Sequence, residues 1–403
     1  MSSHDAMLSV TVTARGALRL KGGHLWVYRS DITRAEGVAP GALVYVCDER
    51  GRRLGSALYS SSSQIAIRLL ASKVLSKNEV LTLLQHRIDE AVRFRQQNVH
   101  DADSYRVIFS EADLLPGLIV DKYNDILAMQ VLTQAFDRDD IRQTVTEKLA
   151  EHYPGNSLLD RVDPHIRELE QLPARESQPV SGEKSATIFT LNGVRFHFDG
   201  SSGQKTGAFL DQRENYTAAA RYAHGDALDC FSYQGGFALH LARVCASVTA
   251  VDSSRPALEV AEQNEQLNRD AHTCGEIEWI EANAFDLLKD YSAARRQYDT
   301  IVLDPPAFAK SKKTVEAALR GYKELNLRAL KMLRPGGLLV TCSCSFYVEQ
   351  SPFLEMLDTS AADAGQRLRI LEKRGAAIDH PSLLGVPETA YLKCIIAQII
   401  DNK

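Results

Sequence analysis

An acid followed by two prolines closes an apolar run at Asp304-Pro305-Pro306, and the next such run, 337–344, ends in two thiols, Cys342 and Cys344. A central strand cannot continue through Pro305 or Pro306, because proline has no N–H to give to a ladder. Asp304 is therefore expected at a strand's carboxyl end. In open parallel sheets ligands bind outside the carboxyl ends of the strands, so one crevice should receive both a carboxylate and a cysteine. A thiolate there can form a covalent intermediate, and an acid beside it can stabilise charge developing on a bound ring. Alternation puts Cys342 and Cys344 on the same side of their strand. A rise of about 6–7 Å between them leaves Cys344 nearer the carboxyl end.

A second set of residues suits a nucleotide. The first strand of the same region ends in DCFSYQGGF (229–237), whose glycines let backbone approach a ligand and free the following helix. G-x-G-x-x-G is absent, so a pyrophosphate cradle for NAD is not indicated. The second strand ends at Asp252, about twenty residues further on, where a carboxylate can accept from ribose hydroxyls. The third ends near Asn283, in place for an adenine-edge contact.

These residues need a sheet to hold them together. From Asp226 onward the pattern is strand, turn, helix, repeated five times, which predicts an α/β, doubly wound parallel sheet flanked by helices. Two final runs, 367–373 and 391–400, lack a helix between them and predict an antiparallel pair at one edge. Residues 8–70 alternate short β-rich runs with turns and show no long helical pattern, so they read as a small barrel. Between the two lies an α+β stretch with helices expected over 78–97 and 137–152 and strands at 105–109, 117–121, 126–132 and 157–162. Residues 167–184, rich in Glu, Pro, Gln and Ser, read as a linker or exposed loop.

Composition sets limits. The 403 residues are 44% hydrophobic and 25% charged, as in globular proteins of two or three domains. No apolar run approaches the roughly 18 residues of a membrane span, and the first residues lack a basic-then-apolar leader, so a cytoplasmic protein without a membrane partner is expected. Seven cysteines, with no C-x-x-C pair and most inside apolar runs, argue against disulfides and against a metal site. Net charge is −5, yet residues 1–70 carry nine Lys/Arg against five Asp/Glu. Within that stretch Trp26 and Tyr28 stand among Arg19, Lys21 and Arg29, a mixture of cations and π-faces that suits RNA and equally suits an ordinary barrel core with a solvated surface.

In this order, DCFSYQGGF, VTAVDSS, VLDPPAF and TCSCS resemble motifs I, II, IV and VI of class I S-adenosylmethionine-dependent methyltransferases. The string GQKTGAFLDQR (203–213) and the N-terminal RLKGGHLWVYRSDI are similar to those of one bacterial family, the PUA-domain 23S ribosomal RNA cytosine-5 methyltransferases. The resemblance covers essentially the whole chain. It implies a PUA-like RNA-binding barrel over 1–72, an α+β middle domain with linker over 73–188 and a Rossmann-like methyltransferase domain over 189–403.

Carried over residue by residue, it implies S-adenosylmethionine as cofactor. Phe209 and Arg213 fall near the methionine moiety, Phe231, Ser232, Tyr233 and Gly235 around the cofactor, Asp252 and Ser253 at the ribose, and Asn283 and Ala284 at the adenine. Asn283 stands where an aspartate is common. Asp304 falls at both cofactor and substrate, and Cys344, inside Ser-Cys-Ser, becomes the nucleophile that adds to carbon 6 of cytosine. Ala307 occupies the place where another class of RNA cytosine-5 methyltransferases brings a second cysteine, so a one-cysteine enzyme is expected. The partner implied is 23S ribosomal RNA or its large-subunit precursor, bound through Arg19, Lys21, Trp26 and Arg29, with a homodimer left open. Two other readings compete: methylation of an exocyclic amine, for which Asp-Pro-Pro-aromatic is also used, and an RNA-binding protein that keeps the fold without catalysis.

Overall fold

The computed structural model describes residues 8–100, 102–200, 208–269 and 275–400. Contacts divide the chain into two units: Met1–Thr187 with Phe198–Thr206 and Ile378–Thr389, and Ile188–His197 with Gly207–Ala377 and Ala390–Lys403.

In the first unit, strands β1 (Ser9–Val12), β2 (Trp26–Tyr28), β3 (Ile32–Arg34), β4 (Leu43–Asp48), β5 (Arg53–Tyr59) and β6 (Ile65–Ala71) form one six-stranded sheet in the order β2-β6-β5-β4-β1-β3. Helix α1 (Ala14–Lys21), which the alternating pattern did not reveal, is capped by the Thr13 hydroxyl accepting from Gly16 N–H. Its eight residues are too short to show a clear 3.6 period. Helix α2 (Lys77–Asn98) starts at a capping box, Ser76 with Glu79, and presents Val80, Leu84, Ile88 and Val92 inward at helical spacing.

Strands β7 (Ser104–Phe109), β8 (Leu118–Tyr123), β9 (Ile126–Val131), β10 (Ser157–Asp160) and β11 (Gln178–Ser181) make a second sheet, with α3 (Asp139–His152) and α4 (Pro164–Leu169) between its strands. The expected loop over 167–184 is therefore partly ordered into a sheet. β11 pairs antiparallel with β10, and all four of its residues are exposed. An edge strand that buries nothing leaves no hydrophobic signature. Leu58 and Leu70 of the barrel lie in the same apolar core as Leu84, Ile88 and Val120.

The hairpin β12 (Ala186–Leu191) and β13 (Val194–Asp199) leads into α5 (Arg213–Tyr222). The repeat then follows as expected: β14 (Asp226–Cys230), α6 (Gly236–Leu241), β15 (Ser247–Asp252), α7 (Arg255–Asn268), β16 (Glu276–Glu281), α8 (Ala284–Ala293), β17 (Tyr298–Leu303), α9 (Val315–Met332), β18 (Leu333–Ser343) and α10 (Gln350–Asp363), closed by β19 (Arg367–Arg374) and β20 (Lys393–Ile400). The sheet order is β16-β15-β14-β17-β18-β20-β19, parallel except for β20, which runs antiparallel to both its neighbours. Strand order reverses between β14 and β17, the place where such sheets open a crevice. Residues of β14 and β17 are almost all buried, as expected of strands covered by helices on both faces.

Candidate active site

The chain turns sharply after β14. Phe231 and Tyr233 take positive φ of 67° and 51°, and Gly235 reaches 88° before α6 begins. Glycine is needed again at 236, where a Cβ would come within 2.5 Å of the Tyr216 ring. The turn is held from the next strand, because the Asp252 carboxylate accepts from Tyr233 N–H at 2.8 Å and, through its other oxygen, from Ser254 N–H at 2.8 Å. Phe231, Ser232, Tyr233 and Gln234 line a cleft with Phe209, Tyr216 and Asp304. Phe209 is 41% exposed, and its ring centre lies 5.1 Å from that of Tyr233.

Asp229, whose role the sequence did not disclose, is fully buried near the end of β14, with only the Ser232 hydroxyl and the Ala238 N–H placed to donate to its carboxylate. The buried Gln234 carbonyl oxygen has no hydrogen-bond partner among the described residues. Burial pushes the Asp229 carboxyl up to about 8. Buried polar groups with spare hydrogen-bonding capacity are rare and suit a polar ligand. An acid, a hydroxyl and an amide oxygen around one turn fit the ammonium and sulfonium of a methionine moiety, so the residues present suit S-adenosylmethionine.

Across the crevice, Asp304 follows β17 and its N–H donates to the carbonyl of Cys230 at 3.3 Å. Its carboxylate accepts from Gln212 Nε2 at 3.0 Å. Gln212 is oriented in turn: its Oε1 accepts from Asn215 at 2.6 Å, and Asn215 Oδ1 accepts from Arg374 Nε at 2.8 Å. Asp304 is half-buried at the residue level, but its carboxyl group is crowded by protein. That loss of solvent, aided by the neighbouring Asp211 carboxylate, pushes it up to about 7.

Cys344 comes one residue past β18, half-buried, with its Sγ 3.8 Å from the Pro305 carbonyl oxygen. Cys342 is fully buried opposite Cys394 of β20. Loss of solvent, then Asp304 and Asp211, push the Cys344 thiol up to about 11. The loop beyond Asp304 is pinned to the cysteine loop: Ser345 Oγ accepts from Ala309 N–H at 3.1 Å and lies 3.0 Å from the Tyr322 hydroxyl.

The remaining expected residues are spread around this centre. Arg213 is buried at the start of α5, and one of its guanidinium nitrogens donates to Glu214 at 3.2 Å. Ser253 is exposed beside Asp252, and Ala284 is buried. Asn283 is exposed and caps α8, its Oδ1 accepting from Phe285 N–H at 2.9 Å. Residues 203–207 of the string before α5, and Cys274, lie outside the described residues.

In the first unit Lys21 is exposed, and the Arg19 guanidinium lies 4.4 Å from the centre of the Tyr28 ring. Arg29 is engaged at home, donating to the carbonyls of Ser60 and Ser63 at 2.8–3.1 Å. The Trp26 indole N–H donates to Glu111 at 3.0 Å. No described helix is long and apolar enough to cross a membrane.

Comparison with known proteins agrees with this geometry. A PUA-like domain matches residues 10–72, and the S-adenosylmethionine-dependent methyltransferase family matches residues 168–396. The ribosomal RNA large subunit methyltransferase I of Yersinia pseudotuberculosis (strain IP 31758) is 34% identical over 386 residues, 94% of this chain and 96% of that protein. The protein of the same description from Yersinia pestis bv. Antiqua (strain Angola) matches to the same extent. Among solved structures, the SMU.776 protein, described as a methyltransferase and complexed with SAH, superposes with a TM-score of 0.82 at 19% identity, covering 97% of this chain and all of the other. A SAM-dependent methyltransferase from Agrobacterium tumefaciens gives 0.51 at 17% identity, over 75% of this chain and 92% of its own. At those identities the superpositions speak for the fold. With the cleft at the β14–β17 switch point, the turn of residues 231–234 in its wall and matches that span nearly the whole chain, this protein belongs to the S-adenosylmethionine-dependent methyltransferases, in the family of the large-subunit methyltransferase I proteins.

Proposed function

We propose that the protein methylates carbon 5 of a cytidine in 23S ribosomal RNA, using Cys344 as a nucleophile at carbon 6. The observation that carries this reading is the meeting of a half-buried thiol and a carboxyl pushed up to about 7 at the ends of adjacent strands, beside the cofactor cleft. Carbon 5 of cytosine is a poor nucleophile. Addition of the Cys344 thiolate to carbon 6 forms a C–S bond and makes carbon 5 an enamine carbon. S-adenosylmethionine supplies the electrophilic methyl group. Loss of the carbon 5 proton to a base and cleavage of the C–S bond then restore the aromatic ring and the free thiolate. Near neutral pH Asp304 is part protonated, so it can donate to ring N3 and accept from the exocyclic amine as negative charge builds up.

Ribosomal RNA as substrate rests on the names of relatives that match nearly the whole chain. Three exposed lysines, Lys310, Lys312 and Lys313, follow the Asp304 loop and suit a phosphate backbone at the crevice. A ribosomal substrate would place the enzyme in the cytoplasm. Nucleoside mass spectrometry of 23S RNA from cells with and without the protein tests the proposal. One 5-methylcytidine should vanish with the protein and return with it. Loss of an N-methylated nucleoside instead would favour exocyclic-amine transfer, and unchanged RNA would refute the substrate.

A further inference from the structure

Strand β20 reads KCIIAQII, and the lysine that opens it is only 6% exposed. Lys393 lies opposite Ser343, the last residue of β18, and so one position short of Cys344. Its Nζ donates to the carbonyl oxygens of Ser345 at 2.6 Å and Tyr391 at 2.7 Å. Carbonyls satisfy the donors without cancelling the charge. Among the described residues no carboxylate forms an ion pair with it, and an uncompensated buried ammonium is costly. The strand pattern gave no hint of this residue's surroundings.

The groups facing Cys344 explain what that charge is set against. Asp304 after β17 and Asp211 in the turn before α5 both oppose ionisation of the thiol. Tyr322 of α9 bonds to the Ser343 and Ser345 hydroxyls, Tyr391 donates to Asp211, and Cys342 lies deeper against Cys394. Lys393 acts in the other direction, pulling the thiol down. Burial brings the lysine itself down to about 8, while a charge on Cys344 would hold it up. A cation beside a cysteine is a common means of making a thiolate available.

We propose that Lys393 is a positioning residue for Cys344: it anchors the carbonyl of Ser345 just past the thiol, and its ammonium is the countercharge of the Cys344 thiolate. The proposal rests on the reading of Cys344 as the nucleophile. Sγ gives up its proton to solvent, and the thiolate so formed favours the charged form of Lys393.

The test is the pH dependence of iodoacetamide alkylation at Cys344, followed by peptide mass spectrometry in the full-length wild type, Lys393→Met and Lys393→Arg. Lys393→Met should move the midpoint up by at least one pH unit and shift the alkaline-side rise of kcat with it, leaving KM for RNA within about twofold. Lys393→Arg should keep most of the wild-type profile. Calorimetric binding of S-adenosylmethionine and thermal unfolding report whether each variant is folded. A Lys393→Met midpoint equal to wild type in a folded protein overturns the proposal. Should that variant not fold, the reciprocal experiment serves. Cys344→Ser should lower the midpoint of the Lys393 ammonium followed by NMR, because coupling between two sites is mutual; no change overturns the proposal. Alkylation reads the thiol whether or not it is the nucleophile. Retained carbon 5 methylation by Cys344→Ala would therefore sink the catalytic reading separately.

Discussion

Cys342 and Cys344 are two residues apart and have different surroundings. The first is a core side chain against Cys394, and the second is half-buried past the end of β18, beside the Asp304 loop. Cys344→Ala should abolish turnover and also trapping by RNA containing 5-fluorocytosine, whose fluorine blocks the final elimination. Cys342→Ala should retain both and lose about 1 kcal/mol of stability as a small core truncation. An adduct mapped by peptide mass spectrometry to Cys342 would reverse the assignment. Asp304 makes a second prediction. Its folded carboxyl lies near 7, above the roughly 3.9 of an unfolded chain, so the folded state holds the proton more tightly. The resulting stabilisation is complete below about pH 4 and is lost as pH rises through 7. Asp304→Asn should therefore be more stable than wild type in the cofactor-free protein at pH 8, by about 1–3 kcal/mol after allowance for solvent screening, with the gap closing by pH 4. Urea unfolding at the two pH values checks this, and an equal gap at both would show that Asp304 is not perturbed. The strand-end positions of Asp304 and Cys344 were legible in the sequence because proline and the ends of apolar runs leave local marks. Asp229 and Lys393 carried no such mark, since only the folded sheet reveals which polar residue of a strand is sealed off from water.

Elements were legible where their period was long enough to read. The five strand–helix repeats from β14 to α10 and the antiparallel β19–β20 edge follow the hydrophobic pattern. Helix α1 and strand β11 did not, the one being two turns long and the other wholly exposed. The loop between β17 and α9 shows how an element carries function beyond its own residues. Phe308 packs 4.7 Å from the Tyr322 ring, and Ser345 bonds Ala309, so the segment that continues into Lys310, Lys312 and Lys313 is tied to the loop of Cys344. If these lysines hold the substrate backbone, replacing all three by glutamine should weaken RNA binding and reduce the slope of log K against log salt by about 2–3. Affinity for S-adenosylmethionine should not change. A slope equal to wild type would show the three charges to be ordinary solvated surface.

At the scale of the molecule, the barrel shares an apolar core with the helix that follows it, so deleting it is a poor experiment. Leu58 and Leu70 share a core with Leu84 and Ile88 of α2, and the Arg87 guanidinium donates to the Leu70 carbonyl at 2.5 Å. Cutting the chain at 72 would uncover that core. Ile378–Thr389 also belongs to the first unit by contact, although it falls between β19 and β20 in sequence. The fully buried Arg95 donates to the Asp379 carbonyl at 2.8 Å, and the Arg106 N–H to its carboxylate at 2.8 Å. Contacts between residues nearly 300 positions apart leave no local pattern, so no reading of composition could have found them. Charge removal is the cleaner test of the barrel. Arg19→Gln with Lys21→Gln should lower RNA affinity severalfold at moderate salt without moving the melting temperature, because Lys21 is exposed and the Arg19 guanidinium rests on the Tyr28 ring. Arg29→Gln should instead lower the melting temperature, since it strips the carbonyls of Ser60 and Ser63 of their donors. If barrel and loop lysines grip the RNA independently, the two sets of substitutions should add in binding free energy to within about 0.5 kcal/mol. RNA titrations with unchanged affinity in the Arg19/Lys21 double variant would remove the barrel's basic excess from the substrate interface and leave the loop lysines to carry it.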